Sequence, residues 1–212
     1  MCNARQFGRA SLARKRKTGI MKKDPLIIVV SAPSGSGKTT LTERILEKMD
    51  GIRRSVSYTT RQPRDGEKDA QDYVFISEKD FKEKADNGEF LEWEENFGNF
   101  YGTPLDQFRT AMEEGVDVIL SIDVKGGKTV KEKFPESVSV FIIPPSVKEL
   151  EERLRNRNTD REEQVAMRLE ESKREMAAAD RYDYLIVNED LDKASEELMT
   201  IIEKERESRN RA

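Results

Sequence analysis

Ala32-Pro33-Ser34-Gly35-Ser36-Gly37-Lys38-Thr39-Thr40 is the stretch of this 212-residue chain whose residue types and spacing point most directly to chemistry. It fits A/G-x-x-x-x-G-K-T, directly after an apolar run and directly before helical spacing. Backbone N–H groups of such a turn wrap phosphate oxygens, and the N-terminus of the following helix adds positive potential. Lys38 would reach the outer phosphates of a nucleotide, and Thr39 would offer a hydroxyl to Mg²⁺ carried with them. Ala32 stands where a first glycine is commoner, which the pattern tolerates. The loop alone specifies phosphate binding and no particular reaction.

A second group of candidates lies downstream. Arg61 and Arg64 flank Pro63, so a turn could bring two guanidinium forks onto one anion. On charge alone they could equally be solvated loop residues; Tyr73, Tyr101 and the phosphate loop in the same chain favour a phosphate. Glu92 sits among Phe90, Trp93 and Phe97. An ionised carboxylate only accepts hydrogen bonds, and guanine presents two adjacent donors where adenine has no such pair. One carboxylate can therefore select guanine and reject adenine by leaving groups unpaired. By spacing alone, Glu89, Glu94 and Glu95 are equally eligible.

The composition narrows the chemistry further. There is no His and one Cys, Cys2. That removes Ser–His and Cys–His nucleophilic catalysis, histidine- or cysteine-built metal sites and a disulfide framework. No apolar run approaches the roughly 18 residues of a membrane span. Charged residues make up 38% of the chain and the net charge is −4. The first 23 residues hold eight Lys and Arg and no acid, which leaves −12 on the rest. Such a body is a poor non-specific ligand for nucleic acid. The basic start reads as a tail, or as residues ahead of a true start at Met21. An Arg-rich transit peptide or an RNA-binding arm are the other readings. No apolar secretory segment appears, and the expected compartment is the cytoplasm.

The elements that must position these residues alternate. Leu26–Ser31 and Val138–Ile143 are continuous apolar runs, as expected of strands buried on both faces, and Val116–Ile122 reads likewise. Arg54–Tyr58, Tyr73–Ile76 and Tyr184–Val187 are shorter strand candidates. Helices are predicted after Lys38 with Leu41, Ile45, Leu46 and Met49 on one face, and from Ser77 to Gly88. Others are predicted over Thr103–Glu114, around Gly127–Lys133, from Ser146 with Glu149 completing a capping box, over Arg161–Ala179 and over Leu191–Glu205. Strands separated by helices imply a parallel sheet covered on both faces. Residues 60–101 are richer in turns and aromatics and read as a small antiparallel insert.

With these residues in place, the chain resembles the guanylate kinases over nearly all of residues 25–207. The resemblance rests on Ser31–Leu41, Ser55–Arg64, Phe90–Trp93, Gly98–Thr103, Ile122-Asp123, Pro144–Ser146, Arg153 through Asp160 and Tyr184–Asp190. It implies an α/β fold of the P-loop NTPase type, a three-layer α/β/α core with a parallel sheet. It also implies a small mixed or antiparallel GMP-binding insert and a helical lid. The corresponding divisions are a tail over 1–23, a core over 24–59 and 102–207, the insert over 60–101, the lid over 153–168 and a tail over 208–212. The implied activity is reversible, Mg²⁺-dependent transfer of the γ-phosphoryl of ATP to GMP or dGMP in purine metabolism.

Residue roles follow from the same resemblance. Ala32 to Thr40 and Asn188 would bind ATP. Ser57, Arg61, Arg64, Tyr73, Glu92, Tyr101, Thr103 and Asp123 would bind GMP. Lys38, Arg153, Arg157 and Arg168 would surround the transferring phosphoryl, and Thr39 would meet the metal. The sequence departs from the family habit at Ser121, where an acid is frequent, at Lys125, where Gln is usual, and at Asn158, where Gly is usual. Expected partners are the two nucleotides alone, with neither nucleic acid nor membrane, in a monomer or homodimer. Two rivals are a kinase for another nucleoside monophosphate and a non-catalytic module that docks phosphorylated peptides.

Overall fold

A computed structural model of the chain describes residues 25–155 and 162–211. Its centre is β1 (Ile27–Ser31), paired in parallel with both β7 (Asp117–Ser121) and β8 (Val138–Ile143). β2 (Ile52–Arg54) flanks β7 and β9 (Tyr184–Val187) flanks β8, giving a five-stranded parallel sheet ordered β2-β7-β1-β8-β9. The apolar run is explained by its alternation. Leu26, Ile28 and Val30 pack to one side with Leu41 and Ile45 of α1 (Lys38–Lys48) and Leu198 and Ile202 of α7 (Leu191–Arg211). Ile27 and Val29 pack to the other with Phe108 of α3 (Leu105–Glu114) and Val130 of α4 (Val124–Lys133). Each of these side chains contributes about 1.5–3 kcal/mol by leaving water.

A second, mixed sheet has the order β4-β3-β6-β5. It joins β3 (Tyr58–Thr59), β4 (Val74–Phe75), β5 (Phe90–Asn96) and β6 (Asn99–Pro104). β3 pairs in parallel with β4 and antiparallel with β6. β5 and β6 form an antiparallel hairpin turning through Phe97 and Gly98, both at positive φ, as a tight two-residue turn requires. α2 (Glu78–Asp86) is capped by Ser77, whose Oγ accepts from Asp80 N. Its buried Phe81 stacks on Phe90 and Phe100 and fastens the helix to this sheet. α5 (Val147–Arg155) and α6 (Glu162–Met176) pack together through Leu150, Leu154 and Val165.

Several boundaries differ from the sequence reading; among them, α4 begins at Val124 rather than around Gly127 and α6 ends at Met176 rather than Ala179. The candidate strand over 54–58 is two strands in two sheets. β2 stays with the core, while Ser55 N still donates to Ile119 O and Val56 N turns to the Gln107 side chain. The helix expected from Thr103 starts at Leu105, because Thr103 still pairs with Glu92 and a residue before proline is driven extended. The second sheet therefore runs from Tyr58 to Pro104. The last helix continues through the expected tail as far as Arg211. Arg206 ties it to Asp117 and Arg209 ties it to the carbonyls of Pro25 and Glu136. The capping box at Ser146 is half formed: Ser146 Oγ accepts from Glu149 N, but the Glu149 carboxylate turns to Arg153. Of the expected lid, 156–161 lie outside the described residues, and with them Arg157 and Asn158.

Candidate active site

β1 is the strand at which the core sheet changes direction, with β7 on one side and β8 on the other. A crevice at the strand ends is the usual ligand position there. The chain leaves β1 through Gly35 and Gly37, both at left-handed φ. Gly37 is also the N-cap of α1, with no side-chain cap, so the first N–H groups of the helix point outward. A Cβ on Gly37 would sit 2.3 Å from Asn188 Nδ2, which is buried and donates to Ser36 O at 2.8 Å. Asn188 thus props the loop from behind. Lys38 Nζ donates to Ile122 O at 2.8 Å. Burial lowers the Lys38 pKa, while Asp123 and Glu175 work to keep it charged.

The second sheet faces this loop across one cavity. Ala32 to Thr40, Ser57, Arg61, Arg64, Tyr73, Glu92, Tyr101 and Asp123 all line it, joined by Arg168 from α6. Arg61 donates to both carboxylate oxygens of Glu67 and lies 5.5 Å from the Tyr73 ring centre. Tyr73 and Tyr101 meet edge to face at 6.0 Å, and burial raises the Tyr73 pKa. Glu92 is only 6% exposed, and the buried Thr103 hydroxyl donates to it. Burial, reinforced by Asp123, raises Glu92 to about 7 although that hydrogen bond pulls the other way. A Cβ on Gly126 would fall 2.6 Å from Glu92 Oε2, so only glycine lets α4 approach the carboxylate this closely. Asp123 caps α4 by accepting from Gly126 N at 2.8 Å, and its other oxygen accepts from Asn96.

The four acids that spacing could not rank are separated by the fold. Glu89 and Glu95 are exposed, and Glu89 pairs with Lys84. Glu94 lines the cavity, where burial and Asp123 raise it, and Glu92 is the most buried. Not every named residue meets in this cavity. Thr103 lies behind Glu92 rather than on the wall. Arg153 and Asn188 line a separate hollow with Gly35, Gly37, Thr40, Glu189 and Leu191, where Arg153 donates to Asn188 O. Ser121 is on the main cavity wall, whereas Lys125 is exposed and off it.

Several wall residues carried no signal in the sequence. Glu175 of α6 lies on the wall beside the phosphate loop, and burial raises it to about 7. It is one of five acids on that helix, and nothing in its spacing marks it. Asn96 and Phe97 reach the wall from the hairpin tip. Glu67, which is not on the wall, carried no signal of its own in the sequence either.

The residue pattern of guanylate kinase matches this chain over residues 24–205. The chain belongs to the guanylate kinase family. A guanylate kinase of Prochlorococcus marinus is 45% identical over 86% of this chain and 99% of its own length. One from Caldanaerobacter subterraneus is 44% identical over 90% of this chain and 94% of its own. The crystal structure of guanylate kinase from Anaplasma phagocytophilum superposes with a TM-score of 0.74, at 35% identity over 87% of each chain. The guanylate kinase fold is thus shared across the core and the second sheet alike.

Proposed function

We propose that this chain transfers the γ-phosphoryl of ATP reversibly to GMP or dGMP, giving ADP and GDP. One observation carries the reading: the phosphate loop with Lys38, the Arg61 and Arg64 pair and the buried Glu92 line a single cavity. The loop from Ala32 to Thr40 takes the ATP phosphates, and the hollow at Asn188 lies on the donor side. Arg61, Arg64, Tyr73 and Tyr101 hold the GMP phosphate. Glu92, helped by Thr103, Ser57 and Asp123, reads guanine.

The acceptor phosphate already presents a nucleophilic oxygen, so no strong general base is needed. That suits a chain without His. Rate then comes from holding the two phosphates in line and from cations at the developing charge. Lys38 and Arg168 supply that charge from the cavity wall, Arg153 from the neighbouring hollow is a further candidate, and Arg157, given the same role by the resemblance, lies outside the described residues. Among the described residues no cluster of three or more acids could hold a metal by itself. This donor set fits Mg²⁺, which binds few protein ligands and completes its shell with phosphate oxygens and water. Thr39 would provide the hydroxyl ligand, and the ion would neutralise phosphate charge when bound.

The direct experiment is ADP release coupled to absorbance, with GMP, dGMP, AMP, UMP and CMP as acceptors. Turnover confined to the two guanine nucleotides is the expected result. Equal turnover of AMP would remove the role given to Glu92, and no turnover with any acceptor would reject the kinase reading.

A further inference from the structure

Rules of local geometry make Glu67 more than a loop acid. Arg64, Asp65, Gly66 and Glu67 form a turn in which Glu67 N donates to Arg64 O at 3.1 Å and Gly66 takes φ 87°. The turn is closed a second time from the side chain, because Arg64 N donates to Glu67 Oε2 at 2.8 Å. The carboxylate is therefore fixed by its own backbone before it meets any partner. From that fixed place it receives Arg61 Nη2 at 2.8 and 2.9 Å. Arg61 Nη1 donates to Gln62 O at 2.7 Å, and its guanidinium lies 5.5 and 5.8 Å from the ring centres of Tyr73 and Phe75. The Arg61 and Glu67 side chains are 14% and 19% exposed.

We infer that Glu67 is the positioning residue of the acceptor clamp, one carboxylate that sets Arg61 against the backbone of Arg64. The inference rests on the acceptor-phosphate role proposed above for those arginines. An unrestrained arginine has many rotamers, and ordering it on binding costs affinity. Here that ordering is done in advance. The edge of the guanidinium turned to Glu67 and Gln62 is occupied, while the rest of the fork lies toward Tyr101 and the cavity. The charge state is consistent with this work. Burial opposes ionisation of Glu67, yet the hydrogen bonds from Arg61 and Arg64 N hold its pKa below the ordinary carboxylate value. Glu67 could instead imitate the phosphate and be displaced by it. The doubly closed turn argues against that, since displacement would strip Arg64 N–H of its acceptor.

The two roles have opposite signs in one experiment. Glu67→Gln keeps the shape and an acceptor for Arg64 N–H but removes the charge facing Arg61. GMP and guanosine affinities are measured by calorimetric titration of wild type and variant, with the KM for ATP beside them. A positioning role weakens GMP about tenfold, since it removes a hydrogen bond to a charged group. It leaves guanosine and the ATP KM unchanged, because guanosine has no phosphate for the clamp. Glu67→Asp, which keeps the charge, recovers part of the loss. GMP binding that is unchanged or tighter in Glu67→Gln overturns the inference, and so does a parallel loss of guanosine, which would mean damage to the whole insert. A wild-type chain that fails to bind GMP overturns the acceptor reading itself, and is seen before any variant is made.

Discussion

Burial raises the Glu92 carboxyl to about 7, and its proposed task requires the ionised form. Guanine binding should then strengthen as pH climbs through that value, about tenfold between pH 6 and 8 for a single group titrating at the midpoint. Guanosine as a competitive inhibitor isolates the effect, because the GMP phosphate has its own ionisation near about 6. Glu92→Gln should flatten the profile and weaken GMP by about 10- to 100-fold, with the ATP KM little changed. A profile that stays steep in the variant would move the titration elsewhere on the wall, with Glu94 next in line. Lys38 belongs to the same scale. Lys38→Ala should abolish turnover while circular dichroism and the melting transition persist, and retained turnover would sink the phosphate-loop assignment. The loop was legible because its spacing is specific. The preference for Glu92 over Glu89, Glu94 and Glu95 came from the family resemblance alone, because spacing does not say which acids the second sheet turns inward.

Elements decide how these residues meet. Alternate burial on β1 could be read from the Leu26–Ser31 run, since a strand covered on both faces needs no polar position. The split between β2 and β3 could not, because neither short strand has a pattern of its own and long-range pairing assigns them to different sheets. Nor could the hairpin tip. It sends Asn96 to Asp123 in the core and sets the Phe97 ring 5.9 Å from the Arg168 guanidinium on α6. The insert therefore touches both the core and the helix that carries a proposed transfer arginine. Phe97→Ala should lower kcat about two- to fivefold, the size of an exposed cation–π contact, with GMP affinity almost unchanged. Single-turnover kinetics with saturating nucleotides would read this directly. A fall in GMP affinity with unaltered kcat would place the tip in acceptor binding instead. On the donor side, Gly37→Ala should eliminate ATP binding, since its Cβ would collide with Asn188 and its φ of 88° suits glycine.

At the scale of the molecule, the cavity gathers acids from three parts of the chain. Glu92 comes from the second sheet, Asp123 from the end of the core sheet and Glu175 from α6. Burial raises both Glu92 and Glu175 to about 7, each reinforced by Asp123, while Lys38 pulls Glu175 the other way. In the unfolded chain such groups return to about 4.5. Between those values the folded state holds protons that the unfolded state has released, so folding stability must fall as pH rises. Glu67 and Asp183 have lowered pKa values and act with the opposite sign, but their window lies below the ordinary carboxylate range. Lys38 is lowered from 10.5, so over its window below that value its contribution also runs the other way, with stability rising as pH rises. From pH 5 to 7.5 the raised carboxyls dominate, Glu92 and Glu175 foremost, with the smaller rise of Glu94 acting in the same direction. The nucleotide-free protein should therefore lose on the order of 10 °C in Tm across that span, since Glu92 and Glu175 each give up about 2 kcal/mol at about 2–4 °C for each kcal/mol in a chain of this size. The variant carrying Glu92→Gln and Glu175→Gln should show a nearly level Tm over the same span. Scanning calorimetry at half-unit steps would settle the sign, and a wild-type Tm that rises between pH 5 and 7 would mean that these acids are ionised in the folded chain at little cost.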